Sequence, residues 1–423
     1  MNLIITDTVL NGKKTSIKIT GNLITMVGDS IDLRECADYE HINGEDTAVF
    51  PFLHNGHTHS PMVLLRGYGD DMKLDQWLQT RIWPIEARLN EDDYYWGNRL
   101  AYVEMIKSGT GFFNEMYMNP ACSLEALKVL PLKAQINYPI IDGMDEASGR
   151  QQVKECERFF KTSEVPENVQ LGIALHSVYA NSLYSLEWAR DFSREHNLKI
   201  HIHLCETENE INECREAHDG MSPVEYLNSL DFLSERVQGA HTVWLSDLDI
   251  NLMAEKGMVA IHNPVSNMKL ATGNAFPYKK LKDRSIPIAL GTDGAASNNN
   301  LDLFEEMKIA ALLQKHHFRD PAIMPAHEIF SIATEQSAKI FGTGDGVIGE
   351  GSAADIMLVD LKSTSLTPST NTISNLVYSA SGDVVRTLIS GGKILMKDRK
   401  VEGEEEIREK AALCADRLLK GST

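Results

Sequence analysis

The stretch VFPFLHNGHTHS, residues 49–60, ends an apolar run in two histidines one residue apart, His57 and His59. In an extended strand, side chains at i and i+2 share a face, so both imidazoles reach toward one point. Gly56 beside them permits a close backbone approach. Downstream, His203, Glu206, His241 and Asp293 each stand at or near the end of another apolar run: LKIHIHLCE (198–206), VQGAHTVW (237–244) and IPIALGTDG (286–294). An HxH pair alone has modest specificity, because two nearby histidines are often satisfied structurally. Nitrogen and carboxylate donors arriving from several strand ends are hard to explain as core packing, and they suit a borderline divalent metal such as zinc. Hydrolysis by a metal-activated water is the chemistry this set points to.

The same strand ends predict the architecture. GTGFFNEMY (109–117), QLGIALH (170–176) and MVAIHNP (258–264) are further short apolar runs. Helical patterns lie between such runs: about Asp92 to Lys107, SLYSLEWARDFSREH (182–196), and MSPVEYLNSLDFLSE (221–235), with Ser222 as cap, Pro223 in the first turn and Glu225 three residues after the cap. Repeated strand–helix units, with polar chemistry at many strand ends rather than at one crevice, favour an α/β fold of the TIM-like (β/α)8 type over a doubly wound sheet. LDLFEEMKIAALLQKH (301–316) should form a helix near the barrel face, and EGEEEIREKAALCADRLLKG (402–421) a helix whose charges suit its dipole. Near the termini the texture changes to short strands and tight turns, in LIITDTVL (3–10), TSIKITGNLITMVG (15–28), ADIMLVDL (354–361) and VVRTLISGGKILM (384–396). A small β-sandwich domain built from both ends, 1–50 and 351–423, with the barrel inserted as 51–350, is the economical reading.

Composition narrows the partners. A net charge of −19 argues against a nucleic-acid backbone or an anionic membrane, while leaving room for a small nucleoside-like ligand. The N-terminal MNLIITDTVLNGKK lacks a basic region followed by a sustained apolar core, and no apolar run is long enough to span a bilayer. Six scattered cysteines without a CxxC pair read as reduced thiols, hence a cytoplasmic protein. Cys205 in a strand would share the face of His203, but reads as a spare buried thiol. His54 and His201 are ambiguous; His201 is expected farther back in the barrel, as a satisfied core histidine.

NGHTHSPMVLLRGYGDD, LQTRIWPIEARL, HIHLCETENE, GAHTVWLSDLDI, HNPVSNMKLATG and GTDGAASNNNLDLFEEMKIAALLQK together resemble the amidohydrolase superfamily, and within it the 5-methylthioadenosine/S-adenosylhomocysteine deaminase group. The resemblance covers nearly the whole chain and implies a mononuclear metal barrel with a composite β domain. It implies His57, His59, His203 and Asp293 as ligands of one divalent ion per subunit, zinc first, with Fe2+ or Mn2+ as alternatives. Glu206 would be the proton shuttle, giving its proton to N1 of adenine while hydroxide attacks C6, and His241 would orient or support the attacking water. Asp293 would bind the ion through one oxygen and take the water's proton through the other. Glu86 would receive ribose hydroxyls, His176 would contact substrate, and Arg150 would meet the carboxylate of S-adenosylhomocysteine. Trp77 and Trp83 suit either an apolar wall for adenine or a methylthio group, or ordinary core packing. Similar enzymes form homo-oligomers, so a dimer or tetramer is expected.

Two departures bear on substrate. Where members of the group can place a second arginine about twelve residues before the one resembling Arg150, this chain has Tyr138, which shifts preference from S-adenosylhomocysteine toward adenosine, 5′-deoxyadenosine or methylthioadenosine. The usual DMY pattern is Glu115-Met116-Tyr117 here, a longer carboxylate that preserves an internal hydrogen bond, reshapes the pocket or recruits another metal. No strand-end lysine suggests a carbamate-bridged pair of metals. The alternatives are a deaminase or chlorohydrolase of another aminated heterocycle, of guanine or triazine type, and a catalytically silent ligand-binding homologue.

Overall fold

The computed structural model describes residues 2–29, 31, 36 and 38–420. Five strands come first: β1 (Asn2–Leu10), β2 (Lys13–Thr20), β3 (Leu23–Gly28), β4 (Glu40–Asn43) and β5 (Thr47–Pro51). Eight follow with helices between them: β6 (Leu53–Thr58), β7 (Thr110–Met116), β8 (Lys133–Ile140), β9 (Val169–Leu175), β10 (Lys199–Leu204), β11 (Val237–His241), β12 (Val259–His262) and β13 (Ile288–Leu290). Three more close the chain: β14 (Ile356–Asp360), β15 (Val385–Ser390) and β16 (Lys393–Met396).

Strands β6 to β13 pair in parallel, each with its neighbour in sequence, as connections through helices demand. The ring nearly closes at the end that carries the chemistry. There Asp293, just past β13, donates its N–H to the His57 carbonyl at 3.0 Å and bridges to Thr58. Gly56 makes that closure possible, because a Cβ there would lie 2.9 Å from the Leu290 carbonyl oxygen.

Strand β8 was not among the apolar runs, and its interior explains why. Gln135 and Asn137 point into the barrel, where they join Asn114 and Gln238 in an amide network with contacts of 2.7–3.3 Å. Ala134 and Ile136 pack instead into the main apolar core. A strand that is polar inside and apolar outside, with Pro139 near its end, does not read as buried. The amide network stays affordable in free energy because its members find partners.

Helix ends follow local chemistry. Ser222 and Glu225 form a reciprocal capping box at the start of Pro223–Ser229, as expected. That helix stops six residues before Glu235, since Asp231 takes a left-handed conformation (φ 54) and the chain turns to bury Phe232 and Leu233. Leu303–Phe318 and Glu404–Leu419 are helical; of the stretch expected for the latter, residue 421 lies outside the described residues. The last helix lies on Glu91–Lys107, tied by Lys107–Glu404 at 2.7 Å and by an Arg417–Asp93 ion pair.

The strands from both ends join one sheet in the order β16-β15-β14-β5-β1-β2-β3, with β4 beside β1. Leu3, Ile17, Ile42, Val49, Leu358 and Ile389 meet in an apolar core of its own. Among the described residues no helix is long and apolar enough to cross a membrane.

Candidate active site

Each histidine of the cluster is oriented by its Nδ1. His59 donates from Nδ1 to the Met116 carbonyl, and His203 to the His176 carbonyl at 2.8 Å. His57 Nδ1 lies 2.7 Å from Nε2 of His201, the core histidine behind it, whose other nitrogen faces Asn114 and Gln238. With Nδ1 protonated in all three rings, the Nε2 lone pairs are left to converge. His59 Nε2 is 3.3 Å from His203 Nε2, and Asp293 Oδ1 is 3.3 Å from His57 Nε2 and 3.2 Å from His59 Nε2. Ligands about 2.0–2.1 Å from a tetrahedral centre stand about 3.3–3.4 Å apart, so the spacing fits a small divalent ion. His57 Nε2 is buried and meets no hydrogen-bond donor among the described residues, which also suits a metal bond.

The electrostatics agree. Burial holds His57 down to about 4 and His203 well below the usual imidazole range. His59 goes the other way, up to about 9, because against burial it faces the Asp293 and Glu115 carboxylates. Burial would raise Asp293, yet His57 and His59 hold it well below the carboxylate range. The cluster therefore attracts one positive charge, as a proton on His59 or as an ion. Asp293 is braced from outside: Ser266 Oγ donates to its Oδ2 at 2.6 Å, Ser297 Oγ at 3.1 Å, and Gly294 N–H reaches Oδ1 at 2.9 Å. The serines went unnoticed in the sequence, although both lie inside the SNMKL and GTDGAAS blocks.

His241 and Glu206 stand next to this cluster. One nitrogen or oxygen atom from each of His57, His241 and Asp293 fits within 4.8 Å of the others. His241 Nδ1 is 2.8 Å from Asn267 Oδ1 and 3.7 Å from Glu206 Oε1, so with Nδ1 donating, its Nε2 is the free atom. Both His241 (φ 72) and Asp293 (φ 61) hold left-handed backbone, a strain that aims their side chains inward from the strand ends. Cys205 (φ 54) also breaks the strand alternation, so it does not share the face of His203; its buried thiol belongs to the apolar core.

His59, His203, Glu206, His241 and Asp293 line a cavity of about 480 Å³, a size suited to a small organic ligand. Its wall continues through His176, which burial keeps down at about 4, to Glu86, whose Oε1 accepts the Tyr117 hydroxyl at 2.6 Å and whose carboxyl burial raises. Beyond Glu86 the wall is apolar, with Trp77, Trp83, Leu74, Met118 and Ile141, and no lysine or arginine is among its described residues. Arg150 lies outside it on the helix Glu146–Thr162, exposed, ion-paired with Glu146 and stacked over Tyr184 at 4.2 Å. Tyr138 packs on Phe159 and does not reach the wall. Glu115 is consumed internally, accepting Thr58 Oγ1 at 2.8 Å and both donors of Ser60. His54 sits at the opposite end of the barrel on Thr343, 2.7 Å away.

Comparison with known proteins places this arrangement. Residues 48–395 match the profile described as the Amidohydrolase family. The chain is 43% identical over 400 residues to a 5′-deoxyadenosine deaminase from Methanoregula boonei, covering 94% of this chain and 90% of that protein. It is 41% identical over 406 residues to 5-methylthioadenosine/S-adenosylhomocysteine deaminase 1 from Archaeoglobus fulgidus, covering 95% of each. Among solved structures, an adenosine deaminase from Xanthomonas campestris with bound zinc superposes with a TM-score of 0.89 at 28% identity, over 99% of both chains. An atrazine chlorohydrolase from Arthrobacter aurescens, at 19% identity and a TM-score of 0.87 over 98% of this chain and 100% of that one, shares the fold.

Proposed function

We propose, from the premise that this chain belongs to the amidohydrolase family, that it hydrolytically deaminates 5′-substituted adenosines to the inosine analogue and ammonia. The observation that carries the reading is the convergence of three Nε2 atoms and Asp293 Oδ1, each 3.2–3.3 Å from at least one other, beside Glu206 and lining a nucleoside-sized cavity. His57, His59, His203 and Asp293 would hold one divalent ion, with zinc favoured by the spacing and by its presence in the Xanthomonas relative. Bound there, such an ion lowers the pKa of a neighbouring water toward neutrality.

The chain's own residues do the rest. Glu206, in its neutral form, gives its proton to N1 of the purine, so that the ring accepts the electrons displaced when water oxygen attacks C6. His241 Nε2 orients that water and stabilises charge on the C6 oxygen. Asp293, its outer oxygen fixed by Ser266 and Ser297, takes up a proton from the water. The C6–N6 bond breaks as the amino group gains a proton and leaves as ammonia; in balance, the water's two protons end on N1 and on the ammonia. Glu86 binds the ribose hydroxyls, as charge-assisted acceptors do well, and His176 contacts the nucleoside.

The apolar wall beyond Glu86 favours uncharged 5′ groups, so 5′-deoxyadenosine and methylthioadenosine are the preferred substrates and S-adenosylhomocysteine the poorer one, since Arg150 lies outside the cavity wall and is paired with Glu146. Burying an unpaired carboxylate against that wall costs several kcal/mol, on the order of a hundredfold or more in kcat/KM. The same reading takes the sheet from both termini as the small β-sandwich domain, residues 1–50 and 351–423, around a barrel of 51–350. It also places a homo-oligomer, dimer or tetramer, in the cytoplasm, in keeping with six free thiols. Zinc-loaded protein offered each nucleoside, with ammonia release and the adenine-to-hypoxanthine absorbance change as readouts, tests it. Turnover of guanine or triazines but of no nucleoside would reassign the substrate; no turnover of any would leave a silent homologue.

A further inference from the structure

Glu210 lies outside the cavity wall, yet its carboxylate is buried and spent on the backbone that carries Glu206. Its Oε1 accepts the N–H of Cys205 at 2.8 Å, and its Oε2 accepts the N–H of Glu206 at 2.7 Å. These two amides form the corner where β10 ends at Leu204 and the chain turns toward the helix Glu208–Ala217. Thr207 caps that helix and accepts the Glu210 N–H at 3.2 Å, which fixes where the Glu210 side chain starts.

The corner needs holding. Cys205 takes φ 54, a conformation that a side chain disfavours and that persists only when neighbours over-determine it. On one side, the Cys205 carbonyl accepts the N–H groups of Val243 and Trp244 at 3.0 and 2.8 Å, which ties it to the exit of β11 and thus to His241. On the other side, the Glu210 carboxylate grips both of the two successive amides. Without it, two buried donors lose their acceptor and the turn gains a reason to relax. Glu206, 3.7 Å from His241, is the side chain that would move.

We propose that Glu210 is a positioning residue for the deamination, fixing Glu206 by gripping the two backbone amides of the corner that presents it. The inference rests on the reading of Glu206 as the acid that protonates the purine. Glutamine at 210 keeps the shape and one acceptor oxygen but sets an NH2 against the other amide, so it loosens the grip without opening a cavity.

The test is a double-mutant cycle on the zinc-loaded full chain with 5′-deoxyadenosine: wild type, E206Q, E210Q and the double variant. E206Q alone should lose about a thousandfold in kcat. E210Q should lose about 10- to 100-fold in kcat with KM and zinc content within about twofold of wild type. In the E206Q background the added E210Q should cost under about twofold, because a residue acting through Glu206 has nothing left to position. Equal fractional losses in both backgrounds, kcat of E210Q within about threefold of wild type, or failure of E210Q to fold and hold zinc would each overturn the proposal. Retained turnover in E206Q would instead remove the acid reading itself, so the two failures are told apart.

Discussion

Glu86 and Ser266 show how two residues at the same site do separable work. Glu86 meets the cavity with a carboxylate held by Tyr117, at a distance from the metal cluster, so its removal should affect nucleoside binding more than chemistry. E86Q should raise KM for 5′-deoxyadenosine by about 10- to 100-fold, with kcat less changed, in initial-rate measurements; an unchanged KM would place the ribose elsewhere. The Ser266 hydroxyl donates to Asp293 Oδ2 and lies 2.9 Å from Ser297 Oγ. S266A should weaken zinc affinity by about 10- to 100-fold in chelator competition, while zinc-saturated turnover falls less. At this scale much of the site was legible in sequence, because His57, His59, His203 and Asp293 each end an apolar run and the structure brings their donor atoms together. Ser266, Ser297 and Glu210 were not, and His201, legible as a core histidine, gave no sign of its contact with His57 Nδ1. Their roles run through another side chain or a backbone amide, and nothing in their spacing shows what they will touch.

The strands that end in chemistry also carry buried histidines that serve none, and these set a pH limit on the fold. His262 closes β12, stacks flat on Phe276 with centroids 4.2 Å apart, and neither ring nitrogen meets a partner among the described residues. Burial pushes it down to about 3, against about 6.5 when unfolded. Between those values the unfolded chain binds the extra proton, so the stability His262 permits is present above pH 6.5 and is lost as pH falls below it. From pH 7 to 5 that amounts to about 2 kcal/mol. H262F, which keeps the stacking and cannot be protonated, should show a smaller drop in Tm between pH 7 and 5 than wild type, followed by circular dichroism; equal drops would mean that His262 is not titrating. Element by element, the sequence was most readable where strands end in apolar runs, as in β10, β11 and β13. It was least readable in β8, whose amide-bearing interior face belongs to the polar network of the barrel.

For the whole molecule, the ring of eight strands closes where the segment just past β13 meets β6, through the Asp293 N–H on the His57 carbonyl. The barrel was legible from the repetition of strand–helix units. The pairing that joins β5 to β14, whose partners run from Pro51–Ile356 to Thr47–Asp360, rested on a similarity of texture at the two ends. Because His57, His203 and Asp293 come from β6, β10 and the exit of β13, an ion held by them would tie distant parts of the ring together. Binding to the folded chain alone stabilises it by RT ln(1 + [L]/Kd), so zinc at about a hundred times its Kd should add about 2.7 kcal/mol.

Stripping the protein of metal and titrating zinc back, while ammonia release from 5′-deoxyadenosine is followed beside bound zinc, joins the fold to the reaction. Deamination absent from the stripped protein, rising in proportion to bound zinc and levelling at one ion per chain, is the expected outcome. Full deamination by the metal-free chain, or a zinc-saturated chain that binds the ion through these ligands and deaminates no adenosine, would contradict it.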